Sequence, residues 1–465
     1  MSNQLTIADA ARKRTEGNPN NLFNALRTGG PVAWLSCIVM GLGNIVAGQF
    51  IKGLMFLAIE LIALYLIVMP FGCIERLKDV PELGRLLKEE TWNEDKGVYD
   101  YVMHDESWKI LLYGVIAVAI IGILIFMWQV SVRSGNIART NRKLGKKVNN
   151  FWEDIKALFD ENIHKLLMAF PFVCIITFTI IPLVYMICMA FTSYSAENYH
   201  TAMFEWIGFK VFARFFDTAA GTFGEQFWDV FCWTIVWAFF ATFLNFFLGT
   251  FVAMIINRPT TKLKGLWRTL FSFTIAVPQF VSLLVINTMF QNLGIVNTIL
   301  ERNGFIEEPI KFLSDVGTAR VFVIVINLWV GIPYTIMQVT GILKNIPGDL
   351  YEAARIDGAN VVQQFMNITL PYMIFVMTPY IITSFTGNIN NFNVIFLLTG
   401  GGPTEVGKDA GQTDLLVTWL YKMSMNEQKY NIAAVIGIFT FIVLATVSLI
   451  TYRSTGSYKD EEGFK

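Results

Sequence analysis

Apolar segments long enough to cross a membrane constrain the fold of this sequence most strongly. A helix needs about 20 predominantly apolar residues to span ~30 Å of hydrocarbon, and several runs in the chain reach that length. The composition agrees, because 54% of the 465 residues are hydrophobic and only 15% are charged. A soluble protein carries about 25% charged residues. The sequence therefore predicts an all-α polytopic membrane protein.

We predict eight membrane spans, two in the N-terminal region and six in a regular pattern that follows. They cover residues 54–71, 109–130, 166–190, 228–256, 267–293, 320–343, 373–398 and 430–452. Five prolines fall inside these spans, and each removes a backbone hydrogen bond and favours a bent or broken helix. They are Pro171, Pro182, Pro278, Pro333 and Pro379. The glycine-rich segment 33–50 is either an additional span or a re-entrant segment.

The distribution of charge predicts the orientation in the membrane. Residues 131–165 hold eight basic and four acidic side chains, whereas 73–107 hold ten acidic and five basic ones. The positive-inside rule places the first segment in the cytoplasm and the second outside. A cytoplasmic N-terminus then requires an odd number of crossings before residue 73, which favours a re-entrant 33–50.

The same count of crossings divides the chain into four parts. We predict a cytoplasmic tail at 1–31, N-terminal membrane segments at 32–165, a transport core at 166–452 and a cytoplasmic tail at 453–465. The polar hairpin 345–371 of the core then faces the cytoplasm. We expect the protein in a bacterial plasma (inner) membrane.

The sequence offers little for catalysis. It contains no recognisable nucleophile or metal-binding motif. The segment 402–408 has the spacing of a phosphate loop, but Asp409 replaces the required Ser or Thr. We therefore expect no catalytic residue, no metal and no cofactor on this chain, and we expect it not to bind ATP itself.

The hairpin 345–371 is polar, carries four charges and separates two apolar spans. We predict two short helices with a corner at Gly358, which would adopt the left-handed conformation that ends a helix. Asp349 with Glu352, and Asn360 with Gln363, are spaced as capping boxes. Pro371 suits the first turn of the next helix. These features indicate a docking element.

Uncharged polar residues inside the spans indicate a ligand site. Asn327, Gly331 and Tyr334 share one helix face, and Asn388 and Asn391 are three residues apart on the next span. Amides and a phenol can exchange hydrogen bonds with a neutral polyhydroxylated ligand. The alternative is hydrogen bonding between helices. We interpret Glu60, in the first span, as an interhelical hydrogen-bond partner and not as a proton relay.

The hairpin also carries a motif. Glu352-Ala353-Ala354, Gly358 after three residues, and Ile368-x-Leu370-Pro371 after nine more resemble the EAA loop of ABC importer permeases. Among these, the chain resembles the larger membrane subunit of maltose/maltodextrin importers. That likeness rests on the segments 327–334, 384–392, 400–403 and 413–417, and extends over about 165–452. The large external domain of enterobacterial members is absent, because 191–227 is a short loop.

The resemblance implies a transport subunit in a six-helix type I importer core. Its expected partners are a second, smaller permease, two ATP-binding cassette subunits that bind ATP and Mg²⁺, an extracellular solute-binding protein and an oligosaccharide. The expected function is import of maltose/maltodextrin-type oligosaccharides. The alternatives are another neutral oligosaccharide or a secondary carrier.

The resemblance also assigns residues. The residues that it implies for coupling to the ATPase are Glu352, Ala353, Ala354, Gly358, Ile368, Leu370 and Pro371. The residues that it implies for sugar binding are Asn327, Val330, Gly331, Tyr334, Asn388 and Asn391. Gly387 stands where the family has an aromatic residue, so a stacking surface is missing there.

Overall fold

The computed structural model describes residues 22–28, 30–69, 72–84, 89–94, 96–102, 106–197, 203–258 and 260–453. As predicted, most of the described chain is helical. The helices are α1 (Leu22–Thr28), α2 (Gly30–Ile38), α3 (Leu42–Val46), α4 (Phe50–Val68), α5 (Cys73–Asp79), α6 (Ser107–Lys143), α7 (Phe151–Phe159), α8 (Ile163–Ile175), α9 (Ile181–Met189), α10 (Lys210–Phe216), α11 (Phe223–Asn257), α12 (Lys264–Ala276), α13 (Gln279–Met289), α14 (Ile295–Arg302), α15 (Val316–Leu343), α16 (Gly348–Ile356), α17 (Val361–Gln364), α18 (Leu370–Ile389), α19 (Phe392–Leu398), α20 (Leu416–Tyr421) and α21 (Tyr430–Arg453). Short π-helical segments at Ile176–Ile180, Phe365–Thr369 and Lys422–Asn426 follow α8, α17 and α20, and a 3-10 turn at Val80–Glu82 follows α5.

A single antiparallel hairpin was not predicted. Strand β1 (Glu89–Asn93) pairs with β2 (Val98–Val102), and Gly97 in the connecting turn has φ +63°. The hairpin lies in the predicted external loop 73–107. Two short strands leave the helical class of the protein unchanged.

The predicted number of spans agrees with the upper count among the described residues. Seven helical stretches are long and apolar enough to cross a membrane, and the number is eight when one bent pair of helices is counted as a single span. The bent pair is α12 and α13, whose axes differ by 87°. It corresponds to the predicted span 267–293.

The prolines have unequal effects. Pro278 lies at the break between α12 and α13, as expected for a residue that cannot continue a helix. Pro171 and Pro182 flank the π-helical segment between α8 and α9. Pro333 and Pro379 lie inside α15 and α18, which continue through them as single helices. The expected break therefore does not occur at these two positions.

The chain forms two compact units, and the first comprises Met1–Tyr194 with Asn198–Ile207. Helix α3 packs against α6 at two glycines, because a Cβ on Gly43 would lie 3.0 Å from the Cα of Gly135. The backbone N–H of Met40 donates to the Glu60 carboxylate at 2.8 Å. The interpretation of Glu60 as a hydrogen-bond partner is thus confirmed.

The segment 33–50 contains two short helices rather than one span. Helix α2 has nine residues and α3 has five, and Gly41 between them has φ +84°. Neither helix approaches the ~20 residues that a crossing needs. This geometry supports the re-entrant alternative, which stays a prediction.

The second unit comprises Ser195–Glu197 and Gly208–Lys465 and is built around α11. Helix α11 packs against α15 and α18 through two buried clusters. The first lies on its N-terminal half around Trp237 and Ala241, and the second lies on its C-terminal half around Phe246 and Ala253. The helices approach closely, because a Cβ on Gly249 would lie 2.6 Å from the Cβ of Thr335. Polar side chains occupy the level between the clusters.

Candidate functional site

A cavity of about 270 Å³ lies between α11, α15 and α18 at the level that separates the two apolar clusters. Its polar lining residues are Thr242, Asn245, Asn327, Tyr334, Thr335, Tyr380, Ser384, Asn388 and Asn391. None of the described residues that line it carries a charge. The cavity can therefore exchange hydrogen bonds with a neutral polar ligand but offers no ion pair to a charged one.

The structure brings five of the six predicted sugar-site residues together in this lining. They are Asn327, Gly331, Tyr334, Asn388 and Asn391. Val330 is different, because its side chain packs against the apolar cluster around Trp237 and does not line the cavity. Val330 immediately precedes Gly331, and neighbouring residues of a helix are about 100° apart around its axis, which turns the Val330 side chain away from the cavity.

The amides form a hydrogen-bonded chain across the helices. Asn388 Nδ2 donates to Thr242 Oγ1 at 3.0 Å. Asn391 Nδ2 lies 3.3 Å from Asn327 Oδ1 and 3.4 Å from Asn388 Oδ1. Part of their hydrogen-bonding capacity is thus used between helices. The two interpretations of these residues, ligand binding and helix contact, both have support.

The break between α18 and α19 shapes one wall of the cavity. Asn391 Oδ1 accepts from the backbone N–H of Val394 at 3.3 Å and so caps α19. The Trp237 indole donates to the backbone carbonyl of Asn388 at 3.0 Å. This carbonyl lies in the last turn of α18 and also accepts from the backbone N–H of Asn391 at 3.2 Å. Trp237 therefore fixes the end of α18 beside the cavity.

Sequence reasoning missed five polar lining residues, Thr242, Asn245, Thr335, Tyr380 and Ser384. Asn245 had a usable signal, because an amide in the middle of an apolar span is a functional candidate by default. Tyr380 lies about two helical turns before Gly387 on the same helix, and both line the cavity. Tyr380 and Tyr334 thus supply aromatic rings that Gly387 does not.

The predicted coupling hairpin has the expected two helices and corner. Helix α16 spans Gly348–Ile356, and Gly358 has φ +79°, as predicted. Asn360 and Gln363 form the predicted capping box, with side-chain to backbone distances of 2.9 and 2.8 Å. Pro371 falls in the first turn of α18, as predicted.

The other capping box is absent. Helix α16 begins directly after Pro347 and has no side-chain cap, so Asp349 lies inside its first turn. A carboxylate there still interacts favourably with the positive end of the helix dipole. The prediction of a box between Asp349 and Glu352 was wrong because proline already starts the helix at Gly348.

The hairpin exposes both charged and apolar side chains. Glu352, Ala353 and Gly358 are exposed, Ala354 and Ile368 are half-buried, and Ile356 is 87% exposed. Val361, Val362 and Met366 are also exposed. The Tyr351 hydroxyl lies 2.8 Å from Thr369 Oγ1, which joins α16 to the start of the following span. The hairpin is thus anchored at its base and presents a mixed surface.

A buried ion pair organises the predicted external segment 399–429. Asp414 is fully buried, and its Oδ2 accepts from Lys422 Nζ at 2.6 Å and from the backbone N–H of Gly411 at 2.7 Å. Its Oδ1 accepts from the Thr418 hydroxyl at 2.9 Å. Burial raises the pKa of Asp414, and the ammonium of Lys422 opposes that rise.

A charged crevice beside this pair is too small to be a sugar site. Its walls include Asp229, Arg320 and Lys408, and its volume is about 10 Å³. That volume holds at most about one water molecule. Within the described residues, no group of three or more His, Cys, Asp or Glu side chains could hold a metal ion.

An all-α membrane protein with an uncharged polar cavity between its spans has the features of a transport permease. Comparison with known proteins identifies the type. Residues 245–455 match the family described as the inner membrane component of binding-protein-dependent transport systems.

Two curated relatives are similar along nearly the whole chain, and a third is similar along half of it. The galactooligosaccharides transport system permease protein GanP of Bacillus subtilis (strain 168) is 34% identical over 92% of this chain and 99% of its own length. The maltodextrin transport system permease protein MdxF of the same organism is 32% identical over 92% of this chain and 97% of its own. The maltose/maltodextrin permease MalF of Vibrio vulnificus (strain YJ016) is 37% identical over 50% of this chain and 45% of its own.

A solved structure shares the fold. A bacterial ABC transporter involved in the import of the acidic polysaccharide alginate gives a TM-score of 0.51 at 23% identity, over 65% of this chain and 96% of its own. The chain therefore belongs to the binding-protein-dependent transport system inner membrane component family, as an ABC carbohydrate importer permease. It is a multi-pass inner membrane protein and a transport subunit.

Proposed function

We propose that this chain is the larger permease subunit of an ATP-driven importer that carries maltose/maltodextrin-type oligosaccharides into the cell. The observation that carries the proposal is the cavity between α11, α15 and α18, whose described lining includes nine polar side chains and no charged one. Its volume of about 270 Å³ is just below the ~300–1,000 Å³ typical of ligand pockets. We infer that the second permease supplies the opposite wall.

Galactooligosaccharides are the second candidate substrate. GanP, named for them, is 34% identical to this chain, against 32% for the maltodextrin permease MdxF. Both classes are neutral and polyhydroxylated, so the uncharged lining suits either. Membership of an importer permease family leaves the secondary-carrier alternative without support.

The proposed partners follow from the family and from the exposed hairpin. Two ATP-binding cassette subunits would bind ATP and Mg²⁺, so this chain would need no cofactor of its own. Each ATPase groove would receive a hairpin such as 345–371, where Glu352 offers a charge, Ala353 and Ala354 allow close approach, and Gly358 forms the corner. An extracellular binding protein would deliver the sugar, and both termini would lie in the cytoplasm.

The proposed mechanism is alternating access. ATP binding closes the two ATPases and draws the hairpins together, and the cavity opens outward to accept sugar. Hydrolysis returns it to the inward-facing state. The equilibrium shifts only because the hairpin docks differently in the two states.

The decisive experiment is uptake by the complete importer reconstituted in proteoliposomes with its binding protein. We expect ATP-dependent uptake of maltotriose, with a galactosyl trisaccharide as the competing substrate. Uptake of the galactosyl sugar alone would reassign the substrate. Absence of ATP-dependent uptake of any neutral oligosaccharide would contradict the proposal.

Coupling has a separate test. Glu352→Lys and Gly358→Asp should abolish uptake while the protein still inserts and assembles, because both changes lie on the exposed hairpin. Normal uptake and normal ATP hydrolysis in these variants would remove the assignment of 345–371 as the ATPase joint.

A further inference from the structure

A second cavity, of about 450 Å³, lies in the first unit and has no part in the sugar site. One of its walls is a face of α6 that carries Val130, Arg133, Ser134 and Ile137. Spacings of three and four residues place these side chains on the same side of the helix. The remaining lining comes from the start of α4 and from the segment 147–154. The volume is within the ~300–1,000 Å³ range of ordinary ligand pockets.

The cavity lies at the ends of two membrane spans. Lys52 on α4 comes shortly before the predicted span 54–71, and Arg133 on α6 comes shortly after the predicted span 109–130. Both side chains line the cavity, so these two ends of the spans meet at one level. Basic side chains at the ends of membrane helices reach the interface between hydrocarbon and water. The cavity is therefore at the depth of the lipid headgroups.

The lining becomes apolar towards the spans. Phe56 is buried and lies one turn further along α4 than Lys52, and Val130 lies almost one turn before Arg133 on α6. Both apolar side chains are therefore on the membrane side of the two cations. A ligand with a charged head and an apolar tail would satisfy both parts of this lining, whereas a small soluble anion would contact only the first part.

The charges at the cavity leave one cation without a partner. Lys52 Nζ lies 2.8 Å from Asp154 Oδ2, and Lys147 Nζ lies 2.5 Å from Glu153 Oε1. Arg133 is exposed and forms no salt bridge within the part of the chain that the structure describes. One positive charge, that of Arg133, is thus uncompensated at this cavity.

Hydrogen bonds between the walls hold the cavity open without a ligand. The buried Gln49 accepts from Asn44 Nδ2 at 2.7 Å and donates to the backbone carbonyl of Asn149 at 2.8 Å. Asn44 Nδ2 also donates to Ser134 Oγ at 2.9 Å. These contacts join α6 to the start of α4 and to the segment 147–154. A site that is already ordered loses less entropy when it binds a ligand.

We propose that this cavity binds the headgroup of an anionic phospholipid, with the phosphate on Arg133 and the first acyl methylenes on Phe56 and Val130. A guanidinium can bind phosphate through two parallel hydrogen bonds. The single negative charge of a phosphodiester matches the one uncompensated positive charge, whereas a zwitterionic headgroup would bring a further cation. Basic pockets between membrane helices are suited to anionic headgroups. This site is separate from sugar transport and does not depend on which sugar is carried.

The test measures the binding of single lipids to the complete importer in detergent by native mass spectrometry. The probes are phosphatidylglycerol and phosphatidylcholine with identical acyl chains, and inorganic phosphate is added as a competitor. Arg133→Gln removes the charge, and Arg133→Lys keeps it. Lys143→Gln is the matched control, because Lys143 is exposed on the same helix and does not line the cavity.

We expect the parent protein to bind phosphatidylglycerol about ten-fold more tightly than phosphatidylcholine. Arg133→Gln should weaken the binding of phosphatidylglycerol about ten-fold, the factor typical of one lost hydrogen bond to a charged group. Lys143→Gln should bind this lipid as the parent does. Arg133→Lys should stay within about three-fold of the parent, because it keeps the charge and loses only the paired geometry. Inorganic phosphate should not displace the lipid.

Three results would overturn the inference. Equal binding of the two lipids would show that the headgroup charge is not recognised. An equal loss in Arg133→Gln and Lys143→Gln would show a general attraction to basic side chains and no site. Displacement of the lipid by an equal concentration of inorganic phosphate would assign the cavity to a soluble phosphate compound. None of these results bears on the proposed function, which the uptake assay tests separately.

Discussion

The buried pair of Asp414 and Lys422 allows a quantitative prediction. Asp414→Ala removes three hydrogen bonds and leaves Lys422, whose side chain is 16% exposed, without its counter-charge. Breaking a buried ion pair by removing one partner costs about 3–5 kcal/mol. Much of that cost is the unpaired ammonium, and the rest is the backbone N–H of Gly411. We therefore expect Asp414→Ala to be strongly destabilising.

The cause of the loss can be separated by a cycle of variants. In a Lys422→Met background the unpaired ammonium is gone, so Asp414→Ala should cost only about 1–3 kcal/mol, the penalty for unsatisfied polar groups. Asp414→Asn should fall between the parent and Asp414→Ala. A rotated amide can still accept from Gly411 and donate to Thr418, and only the charge is lost.

The pH dependence has a defined sign. Burial raises the pKa of Asp414, so the Asp414 carboxyl binds its proton more tightly in the folded protein than in the unfolded chain. The stability that the protonated carboxyl contributes is complete below the unfolded pKa of about 3.9 and is lost as pH rises through the raised folded pKa. Asp414→Asn should remove this decrease in stability with rising pH.

The assay is thermal unfolding of the purified complex in detergent across pH, followed by intrinsic fluorescence. Equal losses for Asp414→Ala in the parent background and in the Lys422→Met background would refute the reasoning, because the two residues would then not be coupled. A midpoint for Asp414→Ala equal to that of the parent would refute it as well.

Three further predictions concern the cavity and the hairpin. Trp237→Phe removes the donor to the Asn388 carbonyl and should lower the sugar transported per ATP about five-fold, the equivalent of ~1 kcal/mol. Trp228→Phe is the control, because the Trp228 indole donates to the backbone carbonyl of Phe215 and its loss should leave uptake unchanged. Gly387→Phe should unfold at or slightly above the parent temperature, because a Cβ there meets nothing within 4 Å, and should lower maltotriose uptake by filling the cavity; a lower unfolding temperature would contradict this. Gly358→Ala forces a side chain into φ +79° at a cost of about 1–2 kcal/mol, and should reduce uptake per inserted protein, measured against Gly348→Ala as the control.

Local sequence patterns predicted what local forces determine. The spans follow from apolar length, and the corner at Gly358 and the box at Asn360 follow from short-range hydrogen bonding. The box at Asp349 failed because two start signals competed, and the proline determined the first residue of the helix. The hairpin of β1 and β2 was missed although its turn carries a glycine, because the loop was assessed only for its charge.

The pairings across the cavity could not be predicted. The contact between Trp237 and Asn388 joins residues 151 positions apart, and that between Asn388 and Thr242 joins residues 146 apart. Periodicity shows which face of a helix is polar but not which helix it meets. For the same reason the sequence does not show that Asp414, in a predicted external loop, is buried, because its partners come from other segments of that loop.

These pairings restrict how the permease can open. Asn388 is held by α11 on two sides, through its backbone carbonyl to Trp237 and through its side chain to Thr242. The same helix also holds the external segment, because Trp233 donates to the Thr413 carbonyl at 3.2 Å and Thr234 accepts from the backbone N–H of Leu416 at 3.1 Å. Separating α11 from α18 near the cavity would break two hydrogen bonds at once and expose their polar groups to an apolar surrounding. We therefore expect α11, the end of α18 and the external segment to move as one body, so that access to the sugar changes at the wall which the second permease supplies.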